Sequence, residues 1–292
     1  MNYRYILLIT ALAGLLLTAC GSATNGEAVT NQDLQIVVLG PSATEVVSAL
    51  GFSNNIIATD VHSVDIHGID PSLAIFDMFN MDIETLLSLA PSTILAVNMF
   101  AGGISPLSII YDMDIDIVYV YSSNSIIEIY DTILKIAYTL DAQTQGQQLA
   151  YNMMSEINEI SSIAQNLEPI SVYFEISSAP SMWSFGSGTF LNELIELAGG
   201  YNIFSELEGW IAVSDEFILE ANPEFIFTNE DFLPSHIEEI AQRPGWDVLY
   251  AVYNRNIYQI DVNASSRPSH NIVLALRQMA NAMHPQYFEG TN

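Results

Sequence analysis

The chain has 292 residues, half of them hydrophobic, which is enough to form the cores of two domains. Its 34 Asp and Glu face only six Lys and Arg, and the formal net charge is −28 at pH 7. A surface of this sign repels polyanions, so we expect no nucleic-acid partner and no attraction to anionic lipid surfaces.

Residues 1–19 have the pattern of an export signal. Arg4 precedes an apolar run from Ile6 to Leu17, which is too short for a comfortable membrane span. The following Thr18-Ala19-Cys20 completes a segment that resembles the lipobox of bacterial lipoproteins, and Cys20 is the only cysteine. We expect an exported protein whose lipidated Cys20 anchors it to the outer face of the cell membrane, or to the periplasmic side. An ordinary signal peptide with an incidental cysteine is the alternative.

Strand-like and helix-like segments alternate along the rest of the chain. The first strand is predicted at Leu34 to Leu39, and the helix after it carries Ser42 and Glu45 at the spacing of a capping box, so we expect Glu45 to bond a backbone N–H. This alternation predicts mainly parallel sheets covered on both faces, with ligands at the carboxyl ends of the strands. The loops at 60–79 and 98–103 are then candidate binding loops.

One long helix is predicted from Asp141, which serves as its N-cap, to Leu167. Its apolar residues recur at steps of three and four, and its polar residues fill the other faces. At about 1.5 Å per residue, such a helix is long enough to lie across two domains.

The segments on either side of this helix are similar. Asp82–Val97 and Ser214–Thr228 align without a gap, with Glu84 over Glu216. Chance similarity between two amphipathic segments is the alternative to a repeat. A repeat predicts an α/β fold of two similar lobes with the long helix between them, and the signal peptide and tether precede these lobes. The predicted boundaries are 1–19 (signal peptide), 20–33 (lipidated Cys and tether), 34–140 (N-terminal lobe), 141–168 (connecting helix) and 169–288 (C-terminal lobe).

Two tryptophans and one acidic, His-containing loop are candidates for binding. Trp183 and Trp210 lie on loops rich in small residues, which favours a ligand wall over a core position. The loop after the second strand carries carboxylates and imidazoles that suggest a metal, although hydrated loop residues are the commoner explanation. They are Asp60, His62, Asp65 and His67.

Motifs of nucleotide-dependent or hydrolytic enzymes are missing from the sequence. It contains no Walker loop, G-x-G-x-x-G, G-x-S-x-G, H-E-x-x-H or paired-cysteine motif. We therefore expect a protein that is not an enzyme and that carries no cofactor and no resident metal.

Several ordered phrases carry a resemblance to a known family. They are VVLGPSATEVVSALG, MDIETLLSLAPSTILAV, GSGTFLNELIELAGGYNIF, VSDEFILEANPEFIF, RPGWDVLYAVYNRNIYQID and SSRPSHNIVLALRQMANAMHP. Over roughly Leu34 to Phe288 the chain resembles the substrate-binding proteins of ABC importers for iron-siderophores, haem and vitamin B12. The resemblance implies two Rossmann-like α/β lobes joined by a long helix, with the ligand in the cleft between them. It also implies a monomer that works with a membrane permease and its ATPase subunits.

The resemblance assigns roles to individual residues. Glu84 and Glu216 align with the glutamates that dock on permease arginines. Trp183 and Trp210 align with cleft aromatics of vitamin B12 binders, whereas two further aromatics of those proteins are replaced by His62 and Met78. Arg267 aligns with a cleft arginine of siderophore and haem binders; a structural role at the closing helix is the alternative. The scarcity of basic residues favours a neutral or weakly anionic ferric complex, or a porphyrin, over a highly anionic siderophore.

Two other functions remain open at this point. The first is a zinc or manganese receptor of the same fold, for which His62, His67 and His270 are the candidate ligands. The second is a secreted surface hydrolase, for which no particular carboxylate pair stands out.

Overall fold

Parallel strands form the sheet of the N-terminal lobe. The computed structural model describes residues 34–98, 105–232 and 235–288, and the strands of this sheet have the order β3-β2-β1-β4-β5. They are β1 (Ile36–Leu39), β2 (Ile56–Asp60), β3 (Ala74–Phe76), β4 (Thr93–Asn98) and β5 (Asp116–Tyr121). The α-helices of this lobe are α1 (Pro41–Ala49), α2 (Ile83–Ser88) and α3 (Ile126–Thr139). Short 3-10 turns lie at Ser53–Asn55 and Pro106–Ile110.

The connecting helix, α4 (Gln143–Ala164), is shorter than predicted, and the prediction that Asp141 caps it is wrong. Asp141 instead has a φ of 53° in the tight turn between α3 and α4, where the Ala142 N–H donates to the Ala137 carbonyl at 2.8 Å. Asp tolerates this left-handed conformation better than most residues. The turn therefore uses Asp141, and α4 begins at Gln143 without a side-chain cap.

A second parallel sheet and a short ribbon form the C-terminal lobe. Its strands are β6 (Ile170–Glu175), β7 (Trp183–Phe185), β8 (Gly200–Asn202), β9 (Trp210–Ala212), β10 (Phe225–Thr228) and β11 (Ile257–Gln259). The sheet has the order β11-β10-β6-β8, and β7 pairs antiparallel with β9. Its helices are α5 (Phe190–Leu197), α6 (Asp215–Ala221), α7 (His236–Ala241), α8 (Tyr250–Tyr253), α9 (Val262–Ser266), α10 (Ile272–Met283) and α11 (Pro285–Phe288), and a 3-10 turn lies at Trp246–Val248.

The two lobes have equivalent topology, which confirms the predicted repeat. In the first lobe β4 lies between β1 and β5, and α2 precedes it; in the second, β10 lies between β6 and β11, and α6 precedes it. The equivalence extends to a hydrogen-bonded clip at the start of the paired strands. Ser92 Oγ accepts from the Gln35 N–H at 3.1 Å, and Glu224 Oε2 accepts from the Ser171 N–H at 2.9 Å.

One hydrophobic core continues through both lobes along α4. The buried stripe of this helix includes Met153, Ile157 and Ile160, and it packs in a cluster that contains Val38 of β1 and Phe174 of β6. The other face of each sheet is covered by a separate hydrophobic cluster, one in each lobe. The shared core fixes the position of one lobe relative to the other. The predicted boundaries at 34–140, 141–168 and 169–288 stay a prediction.

Candidate functional site

Arg267 ties the two lobes together at the carboxyl ends of their strands. It follows α9, and its Nη2 donates to the His62 carbonyl at 3.0 Å and to Asp65 Oδ1 at 2.8 Å. Its Nη1 donates to Glu45 Oε1 at 3.2 Å. Burial raises the pKa of Asp65, but the hydrogen bond and charge of Arg267 outweigh this effect, and the net pKa is lowered. The loop after β2 and the loop after α9 therefore meet through one guanidinium.

Glu45 is the acceptor of this contact and does not form the predicted capping box. Gly40 precedes α1 without a side-chain cap. The Glu45 carboxylate instead accepts hydrogen bonds from three groups of the C-terminal lobe: Arg267, the Ser269 hydroxyl and Asn271 Nδ2, the last at 2.9 Å. The capping-box spacing drew attention to Glu45 but predicted a backbone N–H nearby as its partner. The groups that it bonds lie more than 200 residues away in the sequence, so local spacing could not indicate them.

A pocket of about 440 Å³ lies beside this junction. Residues from both lobes line it, among them Glu45, Asp65, Arg267 and His270. Burial lowers the pKa of His270 to about 4, so its imidazole is neutral at physiological pH. His270 Nδ1 is buried and has no hydrogen-bond partner.

The remaining candidates of the N-terminal lobe have different environments. The His62 side chain is exposed, whereas Met78 is only 7% exposed and packs in the outer core of its lobe. The neighbouring Phe79 is 70% exposed. The chain therefore turns an aromatic ring outward one position after Met78, and a ligand role for Met78 stays a prediction.

Trp183 and Trp210 lie on one face of the β7–β9 ribbon. Trp183 is opposite Ala212, and Phe185 is opposite Trp210. Since opposite residues and alternate residues share a face, both indoles project from the same side. They are 42% and 48% exposed, while Phe185 is buried and contacts the Trp210 ring at a centroid distance of 5.9 Å. Both tryptophans lie outside the core, as predicted, although they are on strands and not on loops, and their contact with ligand stays a prediction.

A buried ionic cluster supports this ribbon from inside the lobe. Glu175, at the end of β6, is fully buried and accepts two hydrogen bonds from Arg243, at 2.5 and 2.7 Å. The Tyr173 hydroxyl donates to the same carboxylate at 3.1 Å. Burial lowers the pKa of Arg243, but hydrogen bonds to Glu175 and Glu239 outweigh it and the net pKa is raised. Glu175 lies 68 residues before Arg243 in the sequence, so local spacing does not indicate this pair, whereas Glu239 lies only four residues before Arg243.

His236 extends the cluster to the loops that flank the ribbon. Its Nε2 lies 2.9 Å from Glu175 Oε1 and 3.5 Å from Glu230 Oε2. Glu230 in turn accepts a hydrogen bond from the Ser178 hydroxyl at 2.9 Å. The loop after β10 and the loop between β6 and β7 are thus joined through the Glu230 carboxylate.

Grouped metal-binding side chains occur at one place among the residues that the structure describes. Glu175, His236 and Glu239 have ligand atoms within 4.8 Å of one another, but Arg243 already bonds both carboxylates. The three histidines of the zinc or manganese hypothesis do not form such a group in this part of the chain.

Glu84 and Glu216 occupy equivalent positions in the two lobes. Each is the second residue of its helix, α2 or α6, and each side chain is exposed. An acid in the first turn also interacts favourably with the helix dipole. The pKa of Glu216 is lowered by a hydrogen bond from Ser214.

Some predicted features fall outside the described residues. These are the signal peptide, Cys20 and the tether, together with most of the loop at 98–103. Among the described helices, none combines the length and the apolar character that crossing a bilayer requires.

Comparison with known proteins identifies relatives over most of the chain. The model of a family described as periplasmic binding protein matches residues 36–264. An uncharacterized ABC transporter substrate-binding lipoprotein of Bacillus subtilis, YvrC, is 26% identical over 259 residues, which are 87% of this chain and 81% of the relative. A vitamin B12-binding protein of Vibrio cholerae is 24% identical over 248 residues, 84% of this chain and 87% of the relative. Among solved structures, a possible iron-binding, periplasmic solute-binding protein of Staphylococcus epidermidis aligns with a TM-score of 0.75 and 29% identity, covering 86% of this chain and 98% of that one.

Proposed function

Because the chain belongs to the periplasmic binding protein family, we propose that it is the extracytoplasmic receptor of an ABC importer. It captures an iron complex, haem or a corrinoid in the cleft between its lobes and delivers this ligand to the permease, while separate ATPase subunits supply the energy. The receptor itself acts by binding alone, as a monomer and without a cofactor.

The observation that carries this proposal is the pair of half-exposed tryptophans at the carboxyl edge of the second sheet. Large flat ligands such as porphyrins, corrinoids and ferric chelates bury much apolar surface, and indole rings provide such a surface at low conformational cost. The β7–β9 ribbon holds both rings on one side, and Phe185 packs edge-on against the Trp210 ring. Two relatives with names that refer to vitamin B12 or iron support the same ligand classes.

The ligand-contacting residues in this proposal come from both lobes. Trp183 and Trp210 form one wall, and His62 and Met78 lie on the opposite lobe. Arg267 belongs to the C-terminal lobe and lies at the junction of the lobes, where it donates to the His62 carbonyl.

The remaining parts of the proposal concern the membrane. Lipidation of Cys20 would anchor the receptor to the outer face of the cell membrane or to the periplasmic side, and residues 21–33 would form the tether. Glu84 and Glu216, one on each lobe, would dock on arginines of the permease.

Ligand binding tests the proposed function directly. The purified protein is titrated with ferric siderophores, haemin and cobalamins, with tryptophan fluorescence and thermal unfolding as the readouts. A ligand that binds only the folded state raises the unfolding temperature by mass action. We expect one class to quench fluorescence and raise this temperature. A lack of response to every complex, or a stoichiometric bound zinc or manganese after gentle purification, would refute the proposal.

A further inference from the structure

The charge of the cleft can be derived from the positions of all the basic residues. Arg4 precedes the described part of the chain, and the other five basic residues lie within it. Only Arg267 lies at the junction of the two lobes. Its guanidinium is already bonded to two carboxylates, Glu45 at 3.2 Å and Asp65 at 2.8 Å. An anionic group of a ligand would therefore have to displace Asp65 from Arg267 or bind next to it.

The other four basic residues lie elsewhere. Arg243 is bonded to Glu175 and Glu239 inside the second lobe, and Arg277 lies 2.6 Å from Glu156 on α4. Lys135, on α3, donates to the Tyr119 carbonyl at 2.5 Å and lines a pocket with two acids, Glu128 and Asp131. Arg255 is exposed in the turn before β11, at the amino end of that strand and so at the edge opposite the binding loops. Of the four, Lys135 is the one near a loop at the carboxyl ends of the strands, because its pocket includes Ser122, Ser123 and Asn124, and there Glu128 and Asp131 outnumber its single positive charge.

The loops at the carboxyl ends of the parallel strands carry a negative charge. Arg267 is the only Lys or Arg in the described loops 61–73, 77–82, 122–125, 176–182, 203–209, 229–232 and 260–271. Acidic residues occur in most of them and include Asp65, Asp77, Glu208, Glu230, Asp231 and Asp261. Charges of one sign around a cleft raise the local concentration of ligands of the opposite sign.

The two tryptophans give an independent indication of the same sign. Trp183 and Trp210 project from one face of the ribbon and are each nearly half exposed. The face of an indole carries negative electrostatic potential and attracts cations. A flat or compact cation would therefore gain from both the rings and the surrounding carboxylates.

We propose that the cleft selects a metal complex of net positive charge, with a neutral complex second and an anionic one last. The inference rests on the proposed function and specifies its ligand class. A ferric trihydroxamate with a free ammonium group and a corrinoid with a water ligand on cobalt both have this character. Ferric tris-catecholates and haem with ionised propionates do not.

Two matched ligand series test the charge preference with the full-length protein. The first is ferrioxamine B, its N-acetylated form and its N-succinylated form, which share one iron core and differ in charge from positive through neutral to negative. The second is aquacobalamin and cyanocobalamin, which share one corrin ring and are cationic and neutral, with haemin as a separate anionic reference. Dissociation constants are measured by fluorescence quenching at low and at high NaCl concentration. In the series that binds, we expect the cationic member to bind at least tenfold more tightly than the anionic one at low salt, and added salt to weaken its binding.

A pair of variants separates the local effect from that of net charge. Asp65→Asn removes a carboxylate from Arg267, and Glu159→Gln removes one from the exposed face of α4. We expect Asp65→Asn to reduce the preference for the cation several-fold and Glu159→Gln to leave it unchanged. Equal or tighter binding of the anionic member would overturn the inference while leaving the proposed function in place. Failure of every complex to bind would refute the proposed function itself.

Discussion

Arg267 Nη2 lies 2.8 Å from Asp65 Oδ1, and this contact joins residues 202 positions apart in the sequence. Together with the bonds from Arg267 to Glu45 and to the His62 carbonyl, it links the loop after β2 in the first lobe to the loop after α9 in the second. The first loop follows β2 directly, and the second is separated from β11 by the short helix α9. The relative position of the two lobes at the cleft therefore depends on one largely buried guanidinium as well as on the shared core.

Glu45 should contribute to stability through this junction. Glu45→Ala removes an acceptor shared by Arg267, Ser269 and Asn271, and Ser269 is fully buried. Leaving a buried donor without a partner is unfavourable, so we expect a loss of about 2–4 kcal/mol in the free energy of unfolding. Urea denaturation measures this. Asp70→Ala is the control, since its exposed carboxylate bonds Ser72 in its own turn, and it should cost less than half as much. Equal effects of the two substitutions would contradict the prediction.

Arg243 should be required for the fold of the second lobe. Its side chain is 7% exposed, it bonds Glu175 and Glu239, and it stacks 4.7 Å above the Trp246 ring. Arg243→Met keeps the aliphatic volume but removes the guanidinium that pairs with the buried Glu175, and removing one partner of a buried ion pair costs about 3–5 kcal/mol. Chemical denaturation is the measurement. The exposed Arg255→Met should change stability by less than about 0.5 kcal/mol. A wild-type denaturation midpoint for Arg243→Met would refute the proposed importance of the cluster.

Gly146 is predicted to permit close packing of α3 against α4. A Cβ at this position would overlap the Cβ of Ala137. Gly146→Ala would raise helix propensity by about 1 kcal/mol, yet we expect a net destabilisation of about 1–3 kcal/mol because the two helices must separate. The double variant Gly146→Ala/Ala137→Gly should recover part of the loss. Thermal unfolding measures these effects. A higher unfolding temperature for Gly146→Ala than for the wild type would show that the two helices do not pack this closely.

His270 should make stability dependent on pH. Burial lowers its pKa to about 4, below the ordinary value of 6.5, so the unfolded state binds more protons between these values. The free energy of unfolding is therefore highest above pH 6.5 and decreases as the pH falls toward 4. The total decrease is at most about 3 kcal/mol, since each unit of pKa difference corresponds to about 1.36 kcal/mol. Denaturation at several pH values should show this slope in the wild type, and His270→Gln should reduce it. The exposed His67→Gln is the control, and an unchanged slope in His270→Gln would contradict the prediction.

Glu84 and Glu216 should affect transport and leave ligand affinity in solution unchanged. Each is the second residue of an equivalent helix and is exposed, so each can face the permease from its own lobe. Truncating one partner of an interfacial charge pair costs about 2–5 kcal/mol, and charge reversal to Arg should cost more. Uptake of labelled ligand and the dissociation constant are measured together. Glu220→Arg, on the exposed side of α6, is the matched control. A tenfold loss of affinity in either docking variant would show that the glutamate contacts ligand instead.

The sequence by itself determined the alternation of strands and helices, the long connecting helix and the repeat. These depend on local periodicity and on turn residues, which act over a few positions. It also indicated that Trp183 and Trp210 are exposed, because their neighbours are too small to bury an indole.

The tertiary structure decided the partners of the charged residues. Glu45 has the spacing of a capping box, yet it bonds Arg267, Ser269 and Asn271. Asp141 is a residue type that favours the N-cap position, yet it has a left-handed backbone conformation in a turn. Glu175 and Arg243 are far apart in the sequence and pair only because the fold places the end of β6 next to the turn after α7. Such pairs form between residues that only the folded chain brings into contact, and burial then makes each charge require its partner, so local sequence could not assign them.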